Sequence, residues 1–212
     1  MGAYVKKSVN NLFWLMDKVD KKHYLKLYPH YLKWLGIQID SENVAGTWIS
    51  PTTSFDSSKY NYIEIGKAVT ISFGVSILVH DFSIVHAARS IGKKTNAIIY
   101  KRVKSGNNVT LTKDVYILAH DASMKKLLGK TKVGKVQIGN NVFVGAKTVI
   151  LPGVSIGDNV VIAANSSVTK SVPSNEVWGG VPARFIMTMP EFIAKHKEQI
   201  SGKKRTDFRY VE

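Results

Sequence analysis

The sequence predicts an all-β core, a left-handed parallel β-helix, preceded by N-terminal helices and followed by a short C-terminal helix. The main observation is a six-residue period in which eleven of the twelve unit-starting positions are Ile, Leu or Val, and Ser105 is the exception. Three such units close a triangular coil with the branched side chain inside, and successive coils stack as parallel strands. A doubly wound nucleotide-binding sheet is excluded, because residues 105–173 lack helical patterns between strands. The period covers four segments, residues 65–82, 105–122, 138–155 and 156–173.

Residues 1–43 are predicted to form a helical cap. Apolar residues recur there at the spacing of amphipathic helices, and Pro29 is expected to divide the segment into two helices. Lysines lie between the apolar residues, so one interpretation is a basic helix on an anionic membrane surface. We favour a cap packed on the end of the core, because a β-helix must cover its open end.

The same patterns divide the rest of the chain. The β-helix domain is expected to span residues 44–188, and its first coil, residues 44–64, is less regular. Two excursions from the repeat, residues 83–104 and 123–137, each follow a His-Asp pair and are expected to run over the outer surface. Residues 189–212 are expected to form a C-terminal helix and a polar tail.

Charge and composition limit the classes of function. The 212 residues carry a formal net charge of +15, which favours anionic partners such as phosphorylated cofactors, acidic glycans or lipid headgroups. No nucleic-acid-binding motif is present, so nucleic acid is not an expected partner. The lack of cysteine excludes disulfides and a thiolate nucleophile. No long apolar run follows Met1, so we expect a cytoplasmic protein. Peripheral contact with the inner membrane face through the basic N-terminal helices is the alternative to the cap.

Two histidines occupy equivalent positions in successive coils. His80 and His120 fall at the same place in their coils, and each is followed by an aspartate. We therefore expect them to stack along one corner of the β-helix. A neutral imidazole takes a proton from an attacking hydroxyl, and a carboxylate on its other nitrogen fixes the tautomer. Asp121 is one candidate for that carboxylate, but adjacent strand side chains diverge, so an acid from another coil or subunit is the alternative.

Residues 136–173 and the string Gly179-Gly180-Val181-Pro182-Ala183-Arg184 resemble the hexapeptide-repeat acetyltransferases. The likeness is to the galactoside and maltose O-acetyltransferases and to the capsular-polysaccharide O-acetyltransferases, and it covers residues 65–186. It implies an acetyl-CoA-dependent O-acetyltransferase that acts on a hydroxyl of a sugar or of a capsular or surface polysaccharide. The implied mechanism is direct transfer with a histidine as general base.

The resemblance leaves two candidates for the base. In the galactoside branch the catalytic histidine precedes an extended loop that returns into an Ile-Gly-Asn-Asn-Val string, which implies His120 here. In some capsular relatives the role falls on a His-Asp-Tyr-Ser string, which implies His80, at the start of the string His80-Asp81-Phe82-Ser83. The first assignment is favoured, and the second is kept.

The resemblance also implies a homotrimer in which acetyl-CoA lies in a groove between neighbouring subunits. Small residues would let the cofactor approach the backbone, while Lys and Arg would meet its phosphates. Phe143 stands where the family often has Trp, and Met187 stands where it has a second Arg. No metal is expected. The residues assigned to acetyl-CoA are Phe143, Gly145, Ala146, Ala163, Ala164, Thr169, Lys170 and Arg184.

Three other functions remain open. Transfer to the amino group of an amino sugar would use the same site. A zinc enzyme resembling the gamma-class carbonic anhydrases would need three imidazoles, for which His80, His86 and His120 are available, but the family's His-x4-His spacing fails because Lys125 stands where the second histidine should be. The coils could also serve as an assembly scaffold without catalysis, which predicts that coenzyme A has no effect on thermal stability.

Overall fold

The computed structural model describes residues 3–42, 44–56, 59–81 and 99–200, and these form a parallel β-helix flanked by helices. The strands stack in three parallel sheets that form the faces of the coil, which we call sheets A, B and C. Sheet A contains β1 (Gln38–Ile39), β4 (Ile63–Ile65), β9 (Val103–Ser105), β14 (Val136–Ile138) and β17 (Ser155–Ile156). Sheet B contains β2 (Trp48–Ile49), β5 (Thr70–Ile71), β10 (Val109–Leu111), β15 (Val142–Val144), β18 (Val160–Ile162), β20 (Glu176–Gly179) and the antiparallel edge strand β21 (Arg184–Thr188). Sheet C contains β3 (Ser54–Phe55), β6 (Ser76–Leu78), β11 (Tyr116–Leu118), β16 (Val149–Ile150) and β19 (Ser167–Val168).

The six-residue period of the sequence is the period of burial. In sheet B, Val109 pairs with Val142 and Val142 pairs with Val160, and all three side chains are buried. Where the repeat places a hydroxyl inside, the hydroxyl finds an acceptor: Thr148 Oγ1 and Ser166 Oγ donate to the carbonyl of Ala163 at 3.1 and 2.7 Å. The interior is therefore a continuous column of branched side chains, in which these two hydroxyls have a hydrogen-bond acceptor.

One corner of the coil is set by glycine and asparagine. A Cβ on Gly106 would lie 2.6 Å from the carbonyl oxygen of Gly139 in the next coil, so only glycine fits. Two residues further on, asparagines adopt positive φ angles of 52–64° and bond to each other from coil to coil at 2.9 Å. This asparagine ladder comprises Asn108, Asn141, Asn159 and Asn175, and Ala68 occupies the same left-handed position one coil earlier.

Two excursions leave the coil at the corner after sheet C. Equivalent residues of successive coils are 40, 33 and 18 residues apart, so the two earlier coils contain extra chain and the later one has the basic length. Each excursion begins and ends in a short antiparallel ribbon: β7 (His80–Asp81) pairs with β8 (Ile99–Tyr100), and β12 (His120–Asp121) pairs with β13 (Lys132–Val133). The second also carries α3 (Lys125–Leu128), while residues 82–98 of the first lie outside the described residues.

The helices α1 (Ala3–Val19) and α2 (Lys21–Leu35) precede the first coil. The prediction that Pro29 divides them is wrong: the break falls at Asp20, whose side chain accepts from the N–H of His23 and caps α2, while Pro29 is buried inside that helix. Phe13 packs at 5.0 Å on the ring of Tyr28, which stacks on Tyr24, and this aromatic cluster joins both helices to the core. Strand β1 lies within the segment assigned to the cap.

At the other end, β20 and β21 form an antiparallel pair beside the last coil, and α4 (Met189–Ile200) follows. No helix within the described part of the chain is long and apolar enough to cross a membrane.

Candidate active site

His80 and His120 stack on each other at the corner after sheet C. Both lie at the start of an excursion ribbon, because the parallel strands β6 and β11 end two residues earlier at Leu78 and Leu118, which are register partners. The ring centroids are 6.2 Å apart with planes inclined by 26°. The expected stacking along one corner is therefore present, and the ribbons hold both imidazoles where the excursions begin.

The carboxylate of Asp56, one coil before His80, is bonded to that histidine. Its Oδ2 accepts the backbone N–H groups of Val79 and His80 at 2.9 Å each and is also the partner of His80 Nδ1. The Asp56 side chain is only 2% exposed and the His80 side chain 23%. A buried carboxylate held by two backbone donors is a fixed acceptor, so it places the His80 proton on Nδ1 and the lone pair on Nε2.

His120 is held differently. Its Nδ1 is buried and has no hydrogen-bond partner within the described ranges 3–42, 44–56, 59–81 and 99–200. The carboxylate of the neighbouring Asp121 accepts the N–H of Ser123 at 2.9 Å. The backbone and side chain of Ser123 lower the pKa of Asp121 from its usual value, with a smaller contribution from Lys132. Asp121 is thus engaged with the excursion turn.

The small residues assigned to acetyl-CoA lie together at a different corner, the one before sheet C. A Cβ on Gly145 would lie 2.3 Å from the backbone nitrogen of Ala164. The N–H of Asn165 donates to the backbone carbonyl of Ala146 at 2.7 Å. Ala146 and Ala163 are partly exposed, and Ala164 is exposed. This corner offers bare backbone and methyl groups to an approaching ligand.

The structure separates the two parts of the candidate site within one chain. The small residues precede the strands of sheet C, whereas the histidines follow them, and Thr169 and Lys170 follow β19 on the histidine side. Arg184 is exposed on β21, where its Nη1 donates to the carbonyl of Ala183 at 3.0 Å. Phe143 is 44% exposed on the outer face of sheet B. The width of sheet C therefore lies between the base candidates and the small-residue corner.

Asp56 is the residue that sequence reasoning missed. It stands in the irregular first coil, where the six-residue count cannot be carried back from Ile65, and it is 24 residues before His80 instead of 18. The sequence indicates only that the orienting acid can come from another coil or subunit. Its location required the pairing of Phe55 with Ile77, which brings Asp56 beside the end of β6.

No group of three or more His, Cys, Asp or Glu side chains that could hold a metal ion occurs within the described residues. His86, the third imidazole of the zinc alternative, lies outside them.

Comparison with known proteins shows what this chain is similar to. Residues 135–170 match the family described as bacterial transferase hexapeptide (six repeats). Galactoside O-acetyltransferase of Escherichia coli (strain K12) is 37% identical over 139 residues, which cover 66% of this chain and 59% of that protein. Protein CapG of Staphylococcus aureus is 39% identical over 110 residues, 50% of this chain and 64% of that protein.

A solved structure of galactoside acetyltransferase in complex with coenzyme A has the same fold, with a TM-score of 0.53, 24% identity and coverage of 92% of both chains. These matches confirm the left-handed β-helix and the predicted resemblance to the hexapeptide-repeat acetyltransferases. The chain spans less than two thirds of the length of the two curated relatives just described.

Proposed function

We propose that this protein is an acetyl-CoA-dependent O-acetyltransferase whose acceptor is a hydroxyl of a sugar or of a capsular or surface polysaccharide. The observation that carries the proposal is the line Asp56–His80–His120 at the corner where both excursions begin. A carboxylate-oriented imidazole at a partly exposed corner is suited to general-base catalysis on a hydroxyl group.

We take His80 as the base. Oriented by Asp56, it has its lone pair on Nε2, and the buried carboxylate would stabilise the imidazolium formed during the reaction. His120 lacks a partner for Nδ1 within the described residues, so nothing there fixes its tautomer. The resemblance favours His120 instead, and it remains the competing assignment.

The acetyl group passes directly from coenzyme A to the acceptor hydroxyl, without a covalent enzyme intermediate. His80 Nε2 takes the proton of the acceptor hydroxyl, whose oxygen forms a bond to the acetyl carbonyl carbon. The C–S bond then breaks, and the imidazolium returns its proton to the thiolate to give free coenzyme A. The imidazole is thereby ready for another cycle.

We infer that the donor site is shared between two chains. Because sheet C separates the small-residue corner from the histidines, acetyl-CoA held along Gly145, Ala146, Ala163 and Ala164 would reach the histidines of a neighbouring subunit. A homotrimer of triangular prisms about a threefold axis supplies this arrangement three times. The cationic Lys170 and Arg184 suit the anionic phosphates.

Two measurements test the proposal. Acetyl-CoA at millimolar concentration should raise the melting temperature, by an amount equivalent to about 2.7 kcal/mol at a hundredfold excess over Kd. Release of coenzyme A should then be found with at least one member of a panel of oligosaccharides, nucleotide sugars and capsular polymers. Product analysis separates O-acetylation from N-acetylation, because only esters are cleaved by mild hydroxylamine. Failure of acetyl-CoA to stabilise the protein would favour the scaffold.

Alanine variants decide between the histidines. His80→Ala should lower kcat by about 10²–10⁴-fold, the usual contribution of a general base. Near-full turnover by His80→Ala, together with loss in His120→Ala, would transfer the role of base to His120.

A further inference from the structure

The outward side of α1 carries an apolar stripe. Leu12, Leu15 and Val19 are 59%, 51% and 74% exposed, and their spacing of three and four residues places them on one side of the helix. The opposite side holds Phe13, which packs on the aromatic cluster, and the buried Asp17. The inward face of α1 therefore packs on the core, and each side chain of the exposed stripe remains more than half exposed within the described part of the chain.

Helix α2 presents apolar and basic residues on its own outward side. Trp34 is 68% exposed and Leu27 43%, whereas Tyr24, Tyr28 and Leu32 on the inward side are buried. Three lysines are exposed on the same helix: Lys22, Lys26 and Lys33. Exposed tryptophan and leucine beside lysine are the combination found in helices that lie in a membrane interface.

The acidic residues that the structure describes in the helix pair, Asp17 and Asp20, offset only part of this positive charge. Asp17 is bound to Lys21 at 2.5 Å and accepts from Trp48 Nε1 at 3.1 Å, and it is buried. Asp20 is bonded to His23. Among the residues that the structure describes, no ion pair involves Lys22, Lys26 or Lys33. The outward surface is thus apolar and cationic, which is complementary to anionic lipid headgroups.

We propose that the α1–α2 helix pair docks on an anionic lipid surface, with Leu12, Leu15 and Val19 entering the headgroup boundary and the α2 lysines contacting the headgroups. The proposal does not depend on the acetyltransferase activity. The cap remains packed on the β-helix through its aromatic cluster while its outer side binds lipid. The two interpretations of the basic N-terminal segment, cap and membrane contact, are then two faces of one element.

The test is sedimentation of the full chain with vesicles of phosphatidylglycerol and phosphatidylcholine, against vesicles of phosphatidylcholine alone. Binding should require phosphatidylglycerol and weaken as salt rises, because exposed charges are screened. The triple variants L12S/L15S/V19S and K22Q/K26Q/K33Q should each lose at least about 10-fold in vesicle affinity. All substituted side chains are exposed, so circular dichroism should be unchanged.

Two matched controls distinguish binding by the helix pair from an effect of net charge or of nonspecific hydrophobic adsorption. K113Q/K147Q/K195Q removes the same charge from exposed positions outside the cap, and I193S removes an exposed apolar side chain from α4. Both should bind vesicles as the unchanged protein does. Equal binding to neutral vesicles, or equal loss in the controls, would overturn the proposal. So would a smaller oligomer for L12S/L15S/V19S by light scattering, since a second copy would then cover the stripe.

Discussion

Asp56 and His80 lie on successive coils, and a single carboxylate oxygen of Asp56 serves both the ring and the backbone N–H of His80. This double attachment fixes the imidazole in position as well as in tautomer. Asp121, by contrast, follows His120 directly and bonds to Ser123. Two aspartates associated with two histidines thus have different structural partners.

Asp56→Asn should therefore reduce kcat far more than Asp121→Asn, by about 10²-fold or more, since it removes the acceptor that fixes the His80 tautomer. Steady-state coenzyme A release at saturating acetyl-CoA measures the effect. Asp121→Asn is the matched control, with a decrease of only a few fold. The reverse order would assign the orienting role to Asp121.

Much of this fold could be predicted from the sequence, because buried positions in a β-helix recur every six residues. Apolar residues such as Ile65, Ile71 and Ile77 occur at that spacing. The shared corner of His80 and His120 followed from the same count. The partner of His80 could not be predicted in this way, since Asp56 belongs to an irregular coil and its position depends on strand pairing. The prediction that Pro29 divides the helices is wrong for a physical reason. The side chain of Asp20 accepts the N–H of His23 and caps α2, so the two helices separate at Asp20.

The phosphate end of coenzyme A provides another prediction. Lys170→Ala and Arg184→Ala should each raise the Kd of coenzyme A by about 2- to 5-fold, as expected for exposed charges, and the loss should shrink in high salt. Isothermal titration of coenzyme A measures both effects. Lys33→Gln, an exposed charge on α2, is the control and should leave the Kd unchanged.

The asparagine ladder can be extended by one rung. Ala68→Asn should stabilise the protein by about 0.5–1 kcal/mol, because asparagine tolerates the positive φ of 51° and its amide can donate to Asn108. Urea unfolding measures the change. Asn141→Ala should act in the opposite direction, since it breaks bonds to both Asn108 and Asn159. Unchanged stability in both variants would mean that the ladder contributes nothing.

The glycine corner should tolerate no side chain. Gly106→Ala should cost about 2–3 kcal/mol, because its Cβ would press on the backbone of Gly139. Gly129→Ala is the control: it has positive φ but open space around it, so it should cost only about 1 kcal/mol. Equal urea midpoints for the two variants would contradict the steric explanation.

Alkaline pH should weaken the attachment of the cap. Burial raises the pKa of Tyr24 and of Tyr28 well above the usual value of 10.0, and the Tyr24 hydroxyl donates to the carbonyl of Ile49. Because the folded pKa is raised, this stability is fully present below pH 10 and is lost as pH rises above it. Each tyrosine should lower the free energy of unfolding by about 1.4 kcal/mol per pH unit there.

Urea unfolding at several pH values from 9 to 11 checks this slope. Tyr24→Phe removes one titrating group and should flatten the decline, although it also leaves the Ile49 carbonyl without this donor and lowers stability at neutral pH by about 1–2 kcal/mol. A Tyr24→Phe profile parallel to that of the unchanged protein would show that Tyr24 does not titrate on unfolding.

Coil lengths of 40, 33 and 18 residues maintain the same pairing register in all three sheets. Every added residue is taken up at one corner, and the strands on either side do not shift. The corner after sheet C is therefore a point at which evolution can lengthen, shorten or replace a segment without redesigning the scaffold. Under the proposed function, the segments around the histidines could change to accept new acceptors while the coils assigned to the donor stay the same.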